Sequence, residues 1–249
     1  MKIIQKLTLG LLTVVATSSA GFSANLIIDV DAGDTATVSS VITGTAQKID
    51  AGTLVMSGAN GSSLTNLEIA GGLVQYAASG NVGAQVTFNG GNLESTAAAN
   101  IPALVMTADG TVTAGGDGAL AGLSGASKLT IAGTGIVTPA DLSAAAAPVD
   151  VSGIVNFGAS AASKLPAADV NVLSGGLAKV MAATADCAPD DMIVQSGGVL
   201  EVADSVSVPG AGAAASGDLF GTLKFNTGST LKLGNAAVWA RAITVGTAL

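Results

Sequence analysis

The chain has 249 residues, 34 of them glycine, with 49% hydrophobic, 10% charged and 3% aromatic residues and a formal net charge of −8. Histidine is absent and Arg241 and Cys187 stand alone, which excludes a His/Cys zinc site, a Cys/His nucleophile pair and an intramolecular disulfide. With 9 basic residues against 17 acidic ones, no phosphate-neutralising cluster exists and nucleic acid is excluded as a partner, while a mean hydropathy of +0.62 argues against disorder.

The first segment reads as an export signal. Lys2 and Lys6 precede the apolar run Leu7–Ala16, and the small residues Thr17–Ala24 follow. Cleavage is expected after Ala20 or Ala24, leaving 25–249 as a single domain. The apolar run is shorter than the roughly 20 residues a spanning helix needs, and no later segment supplies one, so the mature chain is expected to have no transmembrane helix. A low pI, about 4.2, and the near absence of cysteine fit a secreted protein.

Asp29, Asp31 and Asp34 follow at once. Asp29 and Asp31 would share a strand face, as oxygen ligands for calcium must. The spacing lacks the EF-hand order and its distant glutamate, so the reading is a polar cap on the fold, with no metal.

One phrase then recurs: apolar, polar, apolar, a small residue, glycines, and alternation again. Its clearest copies are Leu67-Glu68-Ile69-Ala70-Gly71-Gly72-Leu73-Val74, Val86-Thr87-Phe88-Asn89-Gly90-Gly91-Asn92-Leu93, Val170-Asn171-Val172-Leu173-Ser174-Gly175-Gly176-Leu177 and Ile193-Val194-Gln195-Ser196-Gly197-Gly198-Val199-Leu200. Weaker copies start at Thr111, Leu129, Val149 and Leu223. The punctuation at Gly52, Gly71, Gly90, Gly115, Gly133, Gly153, Gly175 and Gly197 is spaced by 18 to 25 residues. That period is the signature of stacked repeats and is too short for a propeller blade.

These phrases predict an all-β, single-stranded β-solenoid with coils of about 20 residues. Leu67, Ile69, Val170, Val172, Leu223, Phe225, Leu231 and Leu233 should face inward, with Glu68, Lys224 and Lys232 outward. The rival is a chain of antiparallel hairpins, since strand–Gly-Gly–strand is also a hairpin signal. The segment 140–147, between Pro139 and Pro148, could make a turn or two of helix; it and 209–217 read as loops leaving the coil.

The Gly-Gly phrases, the Ala/Gly/Thr/Val/Asn vocabulary and the export signal resemble the passenger regions of Gram-negative autotransporter adhesins, especially rickettsial-type outer-membrane surface antigens. The resemblance covers repeat style across 25–235. It implies a β-helical protein of the cell surface, outer-membrane associated, with an adhesive or antigenic role. Such proteins end in a translocator barrel that nothing after Thr230 could build. The chain is then a free-standing relative, a truncated product, or a protein exported by other means.

Candidate chemistry is thin. Asp186, Asp190 and Asp191 around Cys187 and Pro189 read as a solvated acidic loop. Glu68, Glu94, Asp150 and Glu201 occupy one phrase position in different coils and could stack into an outward ladder. A polysaccharide-degrading β-helix enzyme would need two such carboxyls about 5–9.5 Å apart. No catalytic residue and no cofactor is assigned. The expected function is that of a secreted or cell-surface adhesive protein whose partner is a host or neighbouring cell surface. The alternative is a self-assembling surface-layer or filament protein.

Overall fold

Short apolar–polar–apolar segments broken by glycine are too brief for helices, and they fold as strands whose alternate side chains point to opposite faces. In the computed structural model, which describes residues 4–5, 12–13, 26–158, 166–181, 191–208, 222–239 and 244–246, successive strands of each sheet pair in parallel. The chain is a β-solenoid of about 20 residues per coil, and the hairpin alternative is set aside.

Three parallel sheets form its sides. An eight-stranded sheet, here the first side, runs from Ile4–Gln5 through Leu26–Asp29, Gly44–Ile49, Leu64–Ile69 and Gln85–Phe88 to Ala144–Ala145. A twelve-stranded sheet, the long side, runs from Leu12–Thr13 to Thr244–Gly246. A six-stranded third side begins only at Gly118–Leu120 and ends at Thr230–Leu233. At about 4.8 Å between strands the long side extends roughly 50 Å.

The core is a set of columns, one residue per coil. On the long side Leu54, Val74, Leu93, Val112, Ile131, Val151, Val172, Val194 and Phe225 stand in register, and all are buried. Their spacing is 19 to 22 residues, except for the 31 between Val194 and Phe225, which include the undescribed 209–221. Such columns let branched aliphatic side chains pack on copies of themselves, so few aromatic rings are needed to fill the interior. Leu67, Ile69, Val170, Val172, Leu223 and Phe225 are buried as expected, Glu68 and Lys224 are partly exposed, and Lys232 is exposed.

The glycine phrase changes corner along the rod. Gly71-Gly72 and Gly90-Gly91 turn the chain from the first side to the long side. From Gly115-Gly116 onward the phrase turns it from the long side to the third side. The 25-residue interval between Gly90 and Gly115 is therefore one coil plus the length of a side.

The glycines themselves fall into two kinds. Gly133 has φ +100°, and a Cβ there would lie 2.2 Å from the Ala114 carbonyl oxygen of the coil below. Gly175 has φ +81°, but a Cβ there meets nothing within 4 Å. Gly133→Ala is expected to cost about 3 kcal/mol and Gly175→Ala about 1 kcal/mol in urea unfolding, because only the first adds a backbone clash to the strained φ.

Corner side chains tie each coil to the next. Asn92 Oδ1 accepts Thr111 N–H at 3.0 Å, Asn100 Oδ1 accepts Ala119 N–H at 3.0 Å, and Asp109 Oδ1 accepts Lys128 N–H at 2.9 Å. Asp117 Oδ1 accepts Ile136 N–H at 2.9 Å and Asp204 Oδ1 accepts Asn235 N–H at 2.7 Å. Asn60 and Asn81 are buried at another corner, where Asn60 Oδ1 accepts Ile42 N–H at 2.7 Å and Asn81 Nδ2 donates to Gly58 O at 2.9 Å. Buried amides are tolerable only when so bonded.

Two expectations need correction. The segment 140–147 forms no helix: Ala144–Ala145 is the last strand of the first side, paired with Ser124–Gly125, because the parallel edge supplies the hydrogen bonds that a helix would make internally. Leu233 does not face a closed interior. It is 51% exposed, and Leu231 is only partly buried, because among the described residues no strand follows Thr230–Leu233 on its side. The loop at 209–217 lies outside the described residues.

Candidate functional site

The first coils hold a cluster of charged side chains. Lys48 occupies an inward column of the first side, in register between Ile28 and Ile69, and is 0% exposed. Its alkyl stem fills the place of an aliphatic residue, and Nζ donates to the Asp50 carbonyl oxygen at the turn. Asp29, Asp31 and Asp50 each bring one carboxylate oxygen within 4.8 Å of the others. Loss of solvent pulls the Lys48 ammonium down to about 8, opposed by the charges of Asp50 and Asp29.

The sequence therefore pointed to the right end with an incomplete set. Asp29 and Asp31 converge, Asp50 joins them from the next coil, and Asp34 is not one of the three. These three carboxylates are the oxygens available to a cation, but the Lys48 ammonium already sets a positive charge beside them. Alignment to the turn carries the missed signal. Leu67 and Ile69 lie four and two residues before Gly71, and Ala46 and Lys48 lie four and two before Asp50, whose φ is +60°. That parity puts Lys48 inside.

The strand carboxylates do not form the ladder the sequence suggested. Glu68 lies on the first side between Gln47 and Thr87, and Glu94 on the long side between Gln75 and Thr113. Asp150 lies on the long side between Thr130 and Asn171, and Glu201 on the third side between Lys179 and Lys232. Glu68 precedes its glycines while Glu94 follows its own, and from Gly115 the phrase turns a different corner, so the four fall on three sides and every register neighbour is an amide, a hydroxyl or an ammonium. Gln75 Nε2 donates to Glu94 at 3.0 Å, Asn89 Nδ2 to Glu68 at 2.9 Å, and Asn171 Nδ2 to Asp150 at 2.9 Å. Lys128 pairs with Asp150 at 3.1 Å and Lys179 with Glu201 at 2.7 Å.

Asp191, read as part of an acidic loop, instead opens the strand Asp191–Val194 and pairs with Lys224 of the next coil. That bond and the Asp191 charge hold the Lys224 ammonium above its usual range. Lys224→Asp, which the outward position alone would make neutral, is therefore expected to lower the urea midpoint by setting two carboxylates side by side. Asp186, Cys187, Pro189 and Asp190 lie outside the described residues.

Comparison with known protein families, with curated proteins and with solved structures finds no match to this chain. No helix among the described residues is long and apolar enough to cross a membrane.

Proposed function

We propose that this chain is an exported, cell-surface structural protein that acts by contact, presenting the sides of its solenoid to a host or neighbouring cell surface in the manner of an autotransporter passenger. The observation that carries this reading is the outer surface of the coils. Outward side chains stand in register and bond from coil to coil, as in the Gln75–Glu94, Asn171–Asp150 and Lys179–Glu201 pairs. A regular side of that kind offers many equivalent weak contacts, and affinity then comes from the number of copies displayed. Catalysis has no part in the proposal, since the strand carboxylates are dispersed over three sides and bonded to neighbouring coils.

Antibody raised against the folded chain should label intact cells of its host, and purified chain immobilised at high density should retain cells that a sparse coating does not. Labelling only after lysis would sink the reading. Polysaccharide turnover lost on removing Glu68, Glu94 or Glu201 would replace it with a hydrolase. The export step is checked separately: protein recovered from the host should begin at Gly21 or Asn25 by intact mass, and extracellular material that retains Met1 would defeat it. A second reading, self-assembly, is favoured by the apolar exposure of the last coil.

A further inference from the structure

We propose that Asn89 is a self-modifying site: the turn Asn89-Gly90 converts its own side-chain amide to a carboxylate, with water as the only co-reactant, and so turns a bond between two coils into a repulsion. The change needs neither an enzyme nor the contact with a cell surface proposed above.

The sequence holds two Asn-Gly pairs, Asn60-Gly61 and Asn89-Gly90, and the fold treats them oppositely. Asn60 is 0% exposed, its Oδ1 accepts Ile42 N–H at 2.7 Å, and its Nδ2 donates to Gly58 O at 3.1 Å and to Asn81 O. The Gly61 N–H is held as well, donating to Gly80 O at 2.7 Å. Asn89 and Gly90 are both exposed, and among the described residues the Gly90 N–H meets no acceptor. Gly90 has φ +111°, and the nearest atom to a Cβ built there is Ala70 O at 3.4 Å, so nothing crowds the turn. Glycine brings no side chain to hinder the Asn89 amide as it swings toward the following nitrogen.

The steps balance with water alone. Once it has given its proton to solvent, the Gly90 nitrogen attacks Asn89 Cγ. The new Cγ–N bond closes a five-membered imide, the Cγ–Nδ2 bond breaks, and Nδ2 leaves as ammonia after taking up a proton. Water then adds to one of the two imide carbonyls, and the ring nitrogen regains its proton. Opening at Cγ gives aspartate, and opening at the main-chain carbonyl gives isoaspartate. The sum is amide plus water to carboxylate plus ammonium, and it adds one negative charge.

That charge lands on an occupied partner. Before conversion Asn89 Nδ2 donates to Glu68 Oε1 at 2.9 Å, a tie between the strands Gln85–Phe88 and Leu64–Ile69 of successive coils. A carboxylate at position 89 has no proton to donate, so two negative charges face each other across the same gap. The isoaspartate form also lengthens the main chain between two fixed bonds, Asn89 N–H to Ile69 O at 2.8 Å and Asn92 N–H to Gly72 O at 2.9 Å. Both products load the same corner.

The test incubates the whole folded chain in warm, mildly alkaline buffer, with a second sample in urea. Cleavage after Glu68 and Glu94 then isolates residues 69–94 for mass spectrometry. In the folded sample position 89 should become about 1 Da heavier at least tenfold faster than position 60, whereas in urea the two should convert at similar rates. Asn89→Gln, which keeps the amide but cannot close a five-membered imide, should remove the gain at position 89. The converted chain should show a urea midpoint lower by about 0.3 M, as should Asn89→Asp, because the lost tie is a surface one. Adding Glu68→Gln to Asn89→Asp should restore the midpoint by supplying a donor. The rates on the unsubstituted chain need no variant to fold. Conversion of Asn60 as fast as Asn89 in the folded chain, or an Asn89 that converts only in urea, would overturn the site. A midpoint unchanged by conversion, or not restored by Glu68→Gln, would overturn the coupling to Glu68.

Discussion

Replacing Leu93 with aspartate is expected to cost about 5 kcal/mol and to unfold most of the chain at room temperature. Leu93 is 0% exposed and sits in register between Val74 and Val112, so the new carboxylate meets aliphatic side chains above and below. Burying an unpartnered charge is among the few single changes with so large an effect. In a solenoid each coil touches only its neighbours, and one damaged coil weakens two interfaces. The adjacent Glu94→Ala removes an outward bond to Gln75 and should cost no more than about 1 kcal/mol. Urea unfolding followed by circular dichroism separates the two; equal losses would reject the assignment of inward and outward positions.

Stability should also depend on pH in an unusual window. The ammonium of Lys48 is pulled from 10.5 to about 8 by burial, so between about pH 8 and 10.5 the unfolded chain holds a proton that the folded chain has released. Stability must then rise with pH across that window, by about 3 kcal/mol in total. Tyr76 acts in the opposite sense. It is 1% exposed, and burial pushes its phenol well above 10, against a weaker pull from Ser95. Above pH 10 the unfolded phenol ionises while the folded one does not, and stability falls. Chemical unfolding from pH 7 to 11 should therefore show a maximum near pH 10. Lys48→Met should abolish the rising limb and raise the midpoint at pH 7, since it replaces a desolvated charge with an apolar side chain of similar length. A rising limb that survives in Lys48→Met would remove Lys48 as its source.

The coil and its parity were legible because the physics that fixes them is local. Leu67-Glu68-Ile69 states its own alternation, and Gly71-Gly72 marks the turn wherever the strands end up in space. What failed was information that only stacking supplies. Glu68 lies three residues before Gly71, whereas Glu94 and Glu201 lie three after Gly91 and Gly198, and the phrase itself moves from one corner to another near Gly115, a shift visible in sequence only as one long interval. Asp50 joins Asp29 and Asp31 because coils 20 residues apart lie in contact, and Lys48 hides in an inward column because the apolar Ile49 beside it blurs the alternation. Leu233 keeps the inward parity of Val202, but among the described residues no strand covers it on its side, a difference that depends on what lies above a coil and not on the coil's own residues.

The register columns also fix how this rod can change over generations. Leu54, Val74 and Leu93 see almost the same surroundings, so removing or duplicating one full coil moves every later residue by one step and leaves each with an equivalent neighbour. A gain or loss of half a coil would instead set a corner against a side. Lengths in a lineage of such chains should therefore differ by multiples of about 20 residues, and surplus sequence should collect at corners, where it can bulge outward without disturbing the stack.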